Sequence, residues 1–251
     1  MTWIKPFNVL KMIMKNMRKR RNYHLNFGFK WLILLIICSL VFFNCGNDAQ
    51  YQLHVFGLTE NHVLESDTVV FSFIVSPEDW KEKGISVQFI LDQEQYLTFE
   101  KDTLVSFSGL TPGAHAVIGL ICNSNGITNK DENALVIRNF YYKQKTQPLL
   151  QNDKPLLVVC QPNKKIFRGQ EADQILFDFR VINAELGSGY RLHYNLDGQD
   201  VYLDEEKHVW IENARKPGNH QLRVTLETEA GSPVLDNPFN DITLTFRVVE
   251  K

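Results

Sequence analysis

From about residue 52 onward the chain is written twice. Phe71-Ser72-Phe73-Ile74-Val75 returns as Phe177-Asp178-Phe179-Arg180-Val181, 106 residues later. The stretch Ile85 to Asp92 returns as Tyr190 to Asp197, and Pro112-Gly113-Ala114-His115 returns as Pro217-Gly218-Asn219-His220, both 105 residues on. Gly126 and Gly231 keep the same offset. Several matches at a nearly constant spacing mean that one structural unit occurs twice, so any fold proposed for one copy must suit both. The copies span 52–142 and 156–251. Between them, 143–155 is mostly polar and holds Pro148 and Pro155, which reads as a linker.

Each copy has the period of strands. Phe177, Phe179 and Val181 alternate with polar residues, as do Tyr190, Leu192, Tyr194 and Leu196, then Leu222, Val224 and Leu226, then Ile242, Leu244, Phe246 and Val248. A period of two puts each set on one buried face. Turn signals separate the runs: Asp197-Gly198, Pro217-Gly218 and Gly231-Ser232-Pro233. About seven short strands in roughly 95 residues make a two-sheet sandwich. The predicted fold class is all-β, with two tandem sandwiches.

The Pro-Gly-x-His-x-(Val/Leu) stretch, followed by Gly126 or Gly231, resembles the penultimate hairpin of bacterial immunoglobulin-like modules. That resemblance covers about residues 52–250 and implies architecture, not a ligand. The repeated His115 and His220 begin buried strands, where one ring nitrogen can bond a turn carbonyl and fix the corner. No second His or Cys stands at ligand spacing, so a metal is not expected there.

The N-terminus speaks to location. Residues 1–44 hold eight Lys and Arg and no Asp or Glu, so a chain of net charge −2 carries −10 on residues 45–251. The apolar run Trp31–Phe43 has 13 residues, against the ~20 that span a bilayer as a helix. Basic then short apolar is the order of a signal peptide. With Cys45 at its end, the segment resembles a bacterial lipoprotein precursor, which implies cleavage before Cys45, lipid on that residue and a tether over 45–51. An uncleaved single-pass anchor is the alternative. The acidic remainder argues against nucleic acid.

Enzyme signatures are absent: no Gly-x-Ser-x-Gly, phosphate-binding glycine loop or His-Glu-x-x-His occurs. The Asn123–Asn133 loop has oxygen donors for calcium, but Lys130 and the lack of alternating carboxylates favour a solvated turn. Asp200 and Asp204-Glu205-Glu206 read as solvated acidic surface. Trp80 is expected to close over its own sandwich, with stacking on sugar as the other use. No cofactor is expected. Cys122 and Cys160, one per copy, leave a disulfide and free thiols both open.

One difference between the copies singles out a contact. Copy two alternates its buried residues with Gln221, Arg223, Thr225 and Glu227, a wet face. Copy one has Ala116, Ile118, Leu120 and Cys122 there, and Leu156–Cys160 is apolar on both faces as well. An apolar outer face must be covered or it marks a contact. Ala116, Ile118 and Leu120, with Trp80, are therefore the candidate interface, meeting either copy two through 156–160 or another protein. The expected function is a non-catalytic protein-binding or scaffolding lipoprotein of the cell envelope, held at an outer membrane or cell surface by lipid on Cys45. Its partner would be another envelope protein. An adhesin or carbohydrate-binding module is the alternative.

Overall fold

The computed structural model describes residues 50–212 and 216–249. Cys45, its tether and the segment 1–44 lie outside them. The first repeat forms β1 (Gln52–Phe56), β2 (His62–Leu64), β3 (Thr68–Ser76), β4 (Ser86–Leu91), β5 (Gln95–Phe99), β6 (Leu104–Ser108), β7 (Gly113–Cys122) and β8 (Leu135–Tyr142). Their order is β1-β3-β6 in one sheet and β2-β8-β7-β4-β5 in the other. The second repeat forms β9 (Leu156–Gln161), β10 (Ile166–Arg168), β11 (Ile175–Ile182), β12 (Tyr190–Leu196), β13 (Gln199–Leu203), β14 (Val209–Ile211), β15 (Gly218–Thr228) and β16 (Asp241–Val249). Strand for strand the order repeats, as β9-β11-β14 and β10-β16-β15-β12-β13. Even the parallel pairings recur, β2 with β8 and β10 with β16. Both are immunoglobulin-like sandwiches of three strands over five. Periodicity exposes the long strands but not β2 and β10, whose three residues each carry no pattern.

Alternation builds each core. In β3, Val69, Phe71, Phe73 and Val75 face inward and are nearly inaccessible. Phe71 and Phe73 each meet Phe89 of β4 at 5.1 Å between ring centres, and Phe99 of β5 closes the group. Such pairs add about 0.5–1.5 kcal/mol beyond their burial. Gly119 of β7 makes room for this cluster: a Cβ there would lie 2.7 Å from Phe89 Cε1 and 2.9 Å from Leu53 Cδ2. The second core repeats the design with Phe177 beside Phe179 and Tyr194, at 5.2 and 5.0 Å.

A third apolar cluster joins the sandwiches. Ala116, Ile118 and Leu120 from the outer face of β7, with Ile90 of β4, pack against Leu156, Val158 and Cys160 of β9, Leu150 and Phe239. Leu157 and Val159 of the same β9 face the second core, which explains why both strands are apolar on both sides. Fully burying each Leu, Ile or Val stabilises by roughly 1.5–3 kcal/mol.

The spacer 143–155 is more ordered than its polar composition suggests. Leu150 is buried, and Asn139 clamps it, accepting from the Leu150 amide at 2.9 Å and donating to its carbonyl at 3.2 Å. Asn237 accepts from the Gln151 amide at 2.7 Å and donates to the Pro155 carbonyl at 2.8 Å. Asn240 bonds the same carbonyl and the Leu157 amide. Amide side chains thus satisfy a buried connection that has no strand partner.

Candidate functional site

The residues singled out for contact are inside the molecule. Ala116, Ile118 and Leu120 are 0% exposed, covered by the second sandwich, so this face is closed to another protein. Trp80 is 0% exposed as well. The short turn Glu78–Lys81 folds it into the first core, 6.5 Å from Phe73 between ring centres. It closes over its own sandwich, as expected, and has no face to offer a sugar or a partner, so Trp80 drops out of the candidate interface. Cys122 and Cys160 are buried free thiols. Burial, reinforced by the Asp178 carboxylate, pushes the Cys122 thiol up to about 12.

The loop read as a solvated turn is a junction anchor. Asp178 of β11, 0% exposed, accepts from the Thr128 amide at 2.9 Å and the Thr128 hydroxyl at 2.7 Å, and pairs with Lys130 at 3.2 Å. Arg180 donates to the Asn129 carbonyl at 2.6 Å and pairs with Glu206 at 2.9 Å. Lys130 fills the position a cation would want. Among the described residues, no group of three or more His, Cys, Asp and Glu is placed to hold a metal.

The repeated histidines fix corners. His115 donates from Nδ1 to Asp92 Oδ2 at 2.5 Å and from Nε2 to the Thr111 carbonyl at 2.7 Å, while Asp92 Oδ1 takes the Ala116 amide at 2.8 Å. His220 repeats this with Asp197, Lys216 and Gln221 at 2.6, 2.7 and 2.8 Å. The bond back to a carbonyl four residues upstream does the work of a tyrosine corner. The sequence pointed to the carbonyl partner but not to the aspartates, which reach across from the preceding hairpin.

Both His115 nitrogens face acceptors, which favours the doubly protonated ring. Burial opposes that charge, but the Asp92 and Thr111 bonds prevail and raise the pKa above the ordinary imidazole value. The contribution to stability is therefore complete below the unfolded value of about 6.5 and lost as pH rises through the folded pKa. The melting temperature should fall between pH 6 and pH 8, and His115→Gln should reduce that fall. Thermal unfolding at the two pH values checks it; an unchanged pH dependence in the variant would contradict it.

One sheet face is open and apolar. Along β1, β3 and β6 the outward positions carry Phe56, Val70, Ile74 and Leu104, exposed by 51, 50, 47 and 67%. Phe56 and Leu104 both pair with Ser72, giving one cross-strand row, while Ile74 lies opposite His54 and Val70 opposite Ser106. The other outward residues are Gln52, Thr68, Ser76 and Ser108; none is Asp, Glu, Lys or Arg. A wet face normally carries charge, and charge depletion with apolar anchors marks the centre of a protein interface. Alternation in Phe71-Ser72-Phe73-Ile74-Val75 already put Ile74 outside; the inward phenylalanines drew attention away from it.

The other open sheet face is polar. On β12, β13, β15 and β16, Arg191 donates twice to Glu227 Oε2, at 2.9 and 2.8 Å, and His193 lies between Glu227 and Asp200 at 3.0 and 2.8 Å. Arg223 grips Asp241 through two bonds of 2.8 and 2.6 Å. His193, Asp200, Arg223 and Glu227 border a cleft of about 620 Å³ with Asn195, Gln221 and Thr243. Glu227 is itself buried beneath Arg191 and His193, whereas Arg223 is mostly exposed.

No protein-family model matches the chain, and no curated protein matches it in sequence. Among solved structures it is similar to the fibronectin(III)-like modules of Clostridium thermocellum CbhA, at 13% identity, TM-score 0.29, over 79% of this chain and 95% of that one. It is also similar to Bacteroides ovatus SGBP-B of a mixed-linkage glucan utilization locus, solved with a mixed-linkage heptasaccharide, at 10% identity, TM-score 0.25, over 79% and 71%. A Ca2+-stabilized adhesin by which an Antarctic bacterium binds ice matches at 12% identity, TM-score 0.23, over 80% and 49%. Likeness at this level says nothing of what this chain binds.

Proposed function

We propose that this chain is a non-catalytic protein-binding module of a bacterial cell envelope, tethered by lipid on Cys45 and docking its partner on the outer face of β1, β3 and β6. The observation that carries the docking is the uncharged surface of Phe56, Val70, Ile74 and Leu104, each about half exposed or more. Leaving four large apolar side chains in water on one sheet face forgoes roughly 25 cal/mol per Å2 that a partner would recover. The close-packed junction makes the two sandwiches a stiff support, because β7 and β9 share one apolar cluster. The tether reading is supported by the basic segment, the short apolar run and the position of Cys45. No helix among the described residues is long and apolar enough to cross a membrane.

A second reading, carbohydrate binding, moves from the buried Trp80 to the polar cleft. The clefts on and beside that face are lined by Lys164, Lys165, Arg223 and Arg247 and by Glu94, Asp197, Asp200 and Glu227, four charges of each sign. Balanced charge among amides and hydroxyls suits a neutral sugar chain.

The tether is tested by the intact mass of protein taken from membranes of its native host. A species starting at Cys45 with added lipid, lost in Cys45→Ser, is expected. A chain retaining residues 1–44 would contradict it and leave the same modules on a transmembrane anchor.

A further inference from the structure

We infer that the open face of β1, β3 and β6 seats the five-stranded sheet of another immunoglobulin-like sandwich, carried by a different chain. The inference deepens the docking function proposed above and rests on it. The two sandwiches are copies, and the molecule already shows what one copy does with this face. In the second sandwich the corresponding surface, the outer side of β9 and β11, lies on the five-stranded sheet of the first. Leu156, Val158 and Cys160 of β9 meet Ala116, Ile118 and Leu120 of β7, and Asp178 of β11 anchors the rim. The first sandwich has the corresponding face in the same topology, with Gln52 and His54 at the places of Leu156 and Val158 and with Ile74 at the place of Arg180. Its apolar centre is shifted onto β3 and β6, and nothing among the described residues covers Phe56, Val70, Ile74 or Leu104.

The junction also defines the partner. A sheet that receives this face needs small and aliphatic residues outward on the strand that corresponds to β7. This chain has two five-stranded sheets. One is already covered. The other carries Gln221, Arg223 and Thr225 at the places of Ala116, Ile118 and Leu120, with Arg223 paired twice to Asp241. Covering that pair with aliphatic side chains would strip its water for no new partner. Self-stacking from molecule to molecule, the open filament that a head-to-tail contact would otherwise generate, is blocked by those substitutions. A different chain with an apolar receiving sheet fits.

Grafting the receiving residues tests this. The full chain, held in density-matched detergent, is compared by sedimentation with a variant bearing Gln221→Ala, Arg223→Ile and Thr225→Leu. The wild type should keep one size from micromolar to near-millimolar concentration, and the graft should associate reversibly. Adding Ile74→Asp to the graft should restore the wild-type size. A folded graft that stays at wild-type size overturns the inference, as does association that survives Ile74→Asp. Wild-type association abolished by Ile74→Asp would overturn the assignment to a different chain. Should the triple variant unfold, Arg223→Ile alone, at an exposed position, carries the same expectation with weaker association.

Two further results separate this geometry from its premise. Ile74→Cys that loses maleimide labelling only on reconstitution into phosphatidylcholine vesicles would assign the patch to the bilayer and overturn the inference. If the graft fails while a photo-crosslink from position 74 still captures a protein on cells, the sheet-on-sheet geometry falls and the docking function stands.

Discussion

Replacing Ile118 with Asp should split the unfolding of the molecule into two steps. Ile118 is 0% exposed and lies in the apolar cluster that both sandwiches share, facing Leu156, Val158 and Cys160. The substitution removes roughly 2–3 kcal/mol of aliphatic burial and puts a carboxyl group among the apolar side chains of that cluster. Burying an unpaired polar group adds at least ~2 kcal/mol, and a charge more. The junction should therefore lose at least about 4 kcal/mol, an exceptional value for one substitution. Each sandwich keeps its own core, built on Phe71, Phe73 and Phe89 or on Phe177, Phe179 and Tyr194. Calorimetry should show one transition in the wild type and two in Ile118→Asp. A single transition in the variant, displaced by less than about 1 kcal/mol, would contradict a coupled pair.

What the sequence disclosed and what it withheld follow from range. The duplication, the strand alternation and the corner histidines are local or periodic, and periodicity survives in one dimension. The apolar outer face of β7 was legible by comparing Ala116, Ile118 and Leu120 with Gln221, Arg223 and Thr225. The sequence left that face two destinations, copy two through 156–160 or another protein, and tertiary packing decides for β9. The Asn123–Asn133 loop is solvated at both ends, as expected, but not in its middle. Asp178 and Arg180 stand about 50 residues away and anchor that middle, where Thr128 is buried. Glu206, read as solvated acid, pairs with Arg180 and Lys130. The spacer 143–155 looked like a free linker because Asn139, Asn237 and Asn240, which satisfy it, lie elsewhere in the chain. The open apolar face was written in the sequence all along. Phe56, Val70, Ile74 and Leu104 come from three strands, however, and assemble only once the β1-β3-β6 pairing is known.

That face carries the functional account, and its partner should be found there and not on the polar side. Phe56 and Leu104 sit in one cross-strand row with Ile74 and Val70 beside them, so a photo-reactive residue at position 74 would lie at the centre of the contact. Aromatic anchors at such centres cost about 2 kcal/mol or more when lost, roughly thirtyfold in affinity. Phe56→Asp should therefore remove nearly all crosslinking from position 74 while leaving the fold intact, because the Phe56 side chain is half exposed. Thr243, exposed on the polar face of β16, gives the comparison site. The decisive experiment is photo-crosslinking of the full-length chain on living cells of its host, with the reactive residue at 74 or at 243. One discrete protein adduct is expected from position 74, lost in Phe56→Asp, and none from position 243. Adducts from 243 alone would contradict it and move the binding site to the polar cleft.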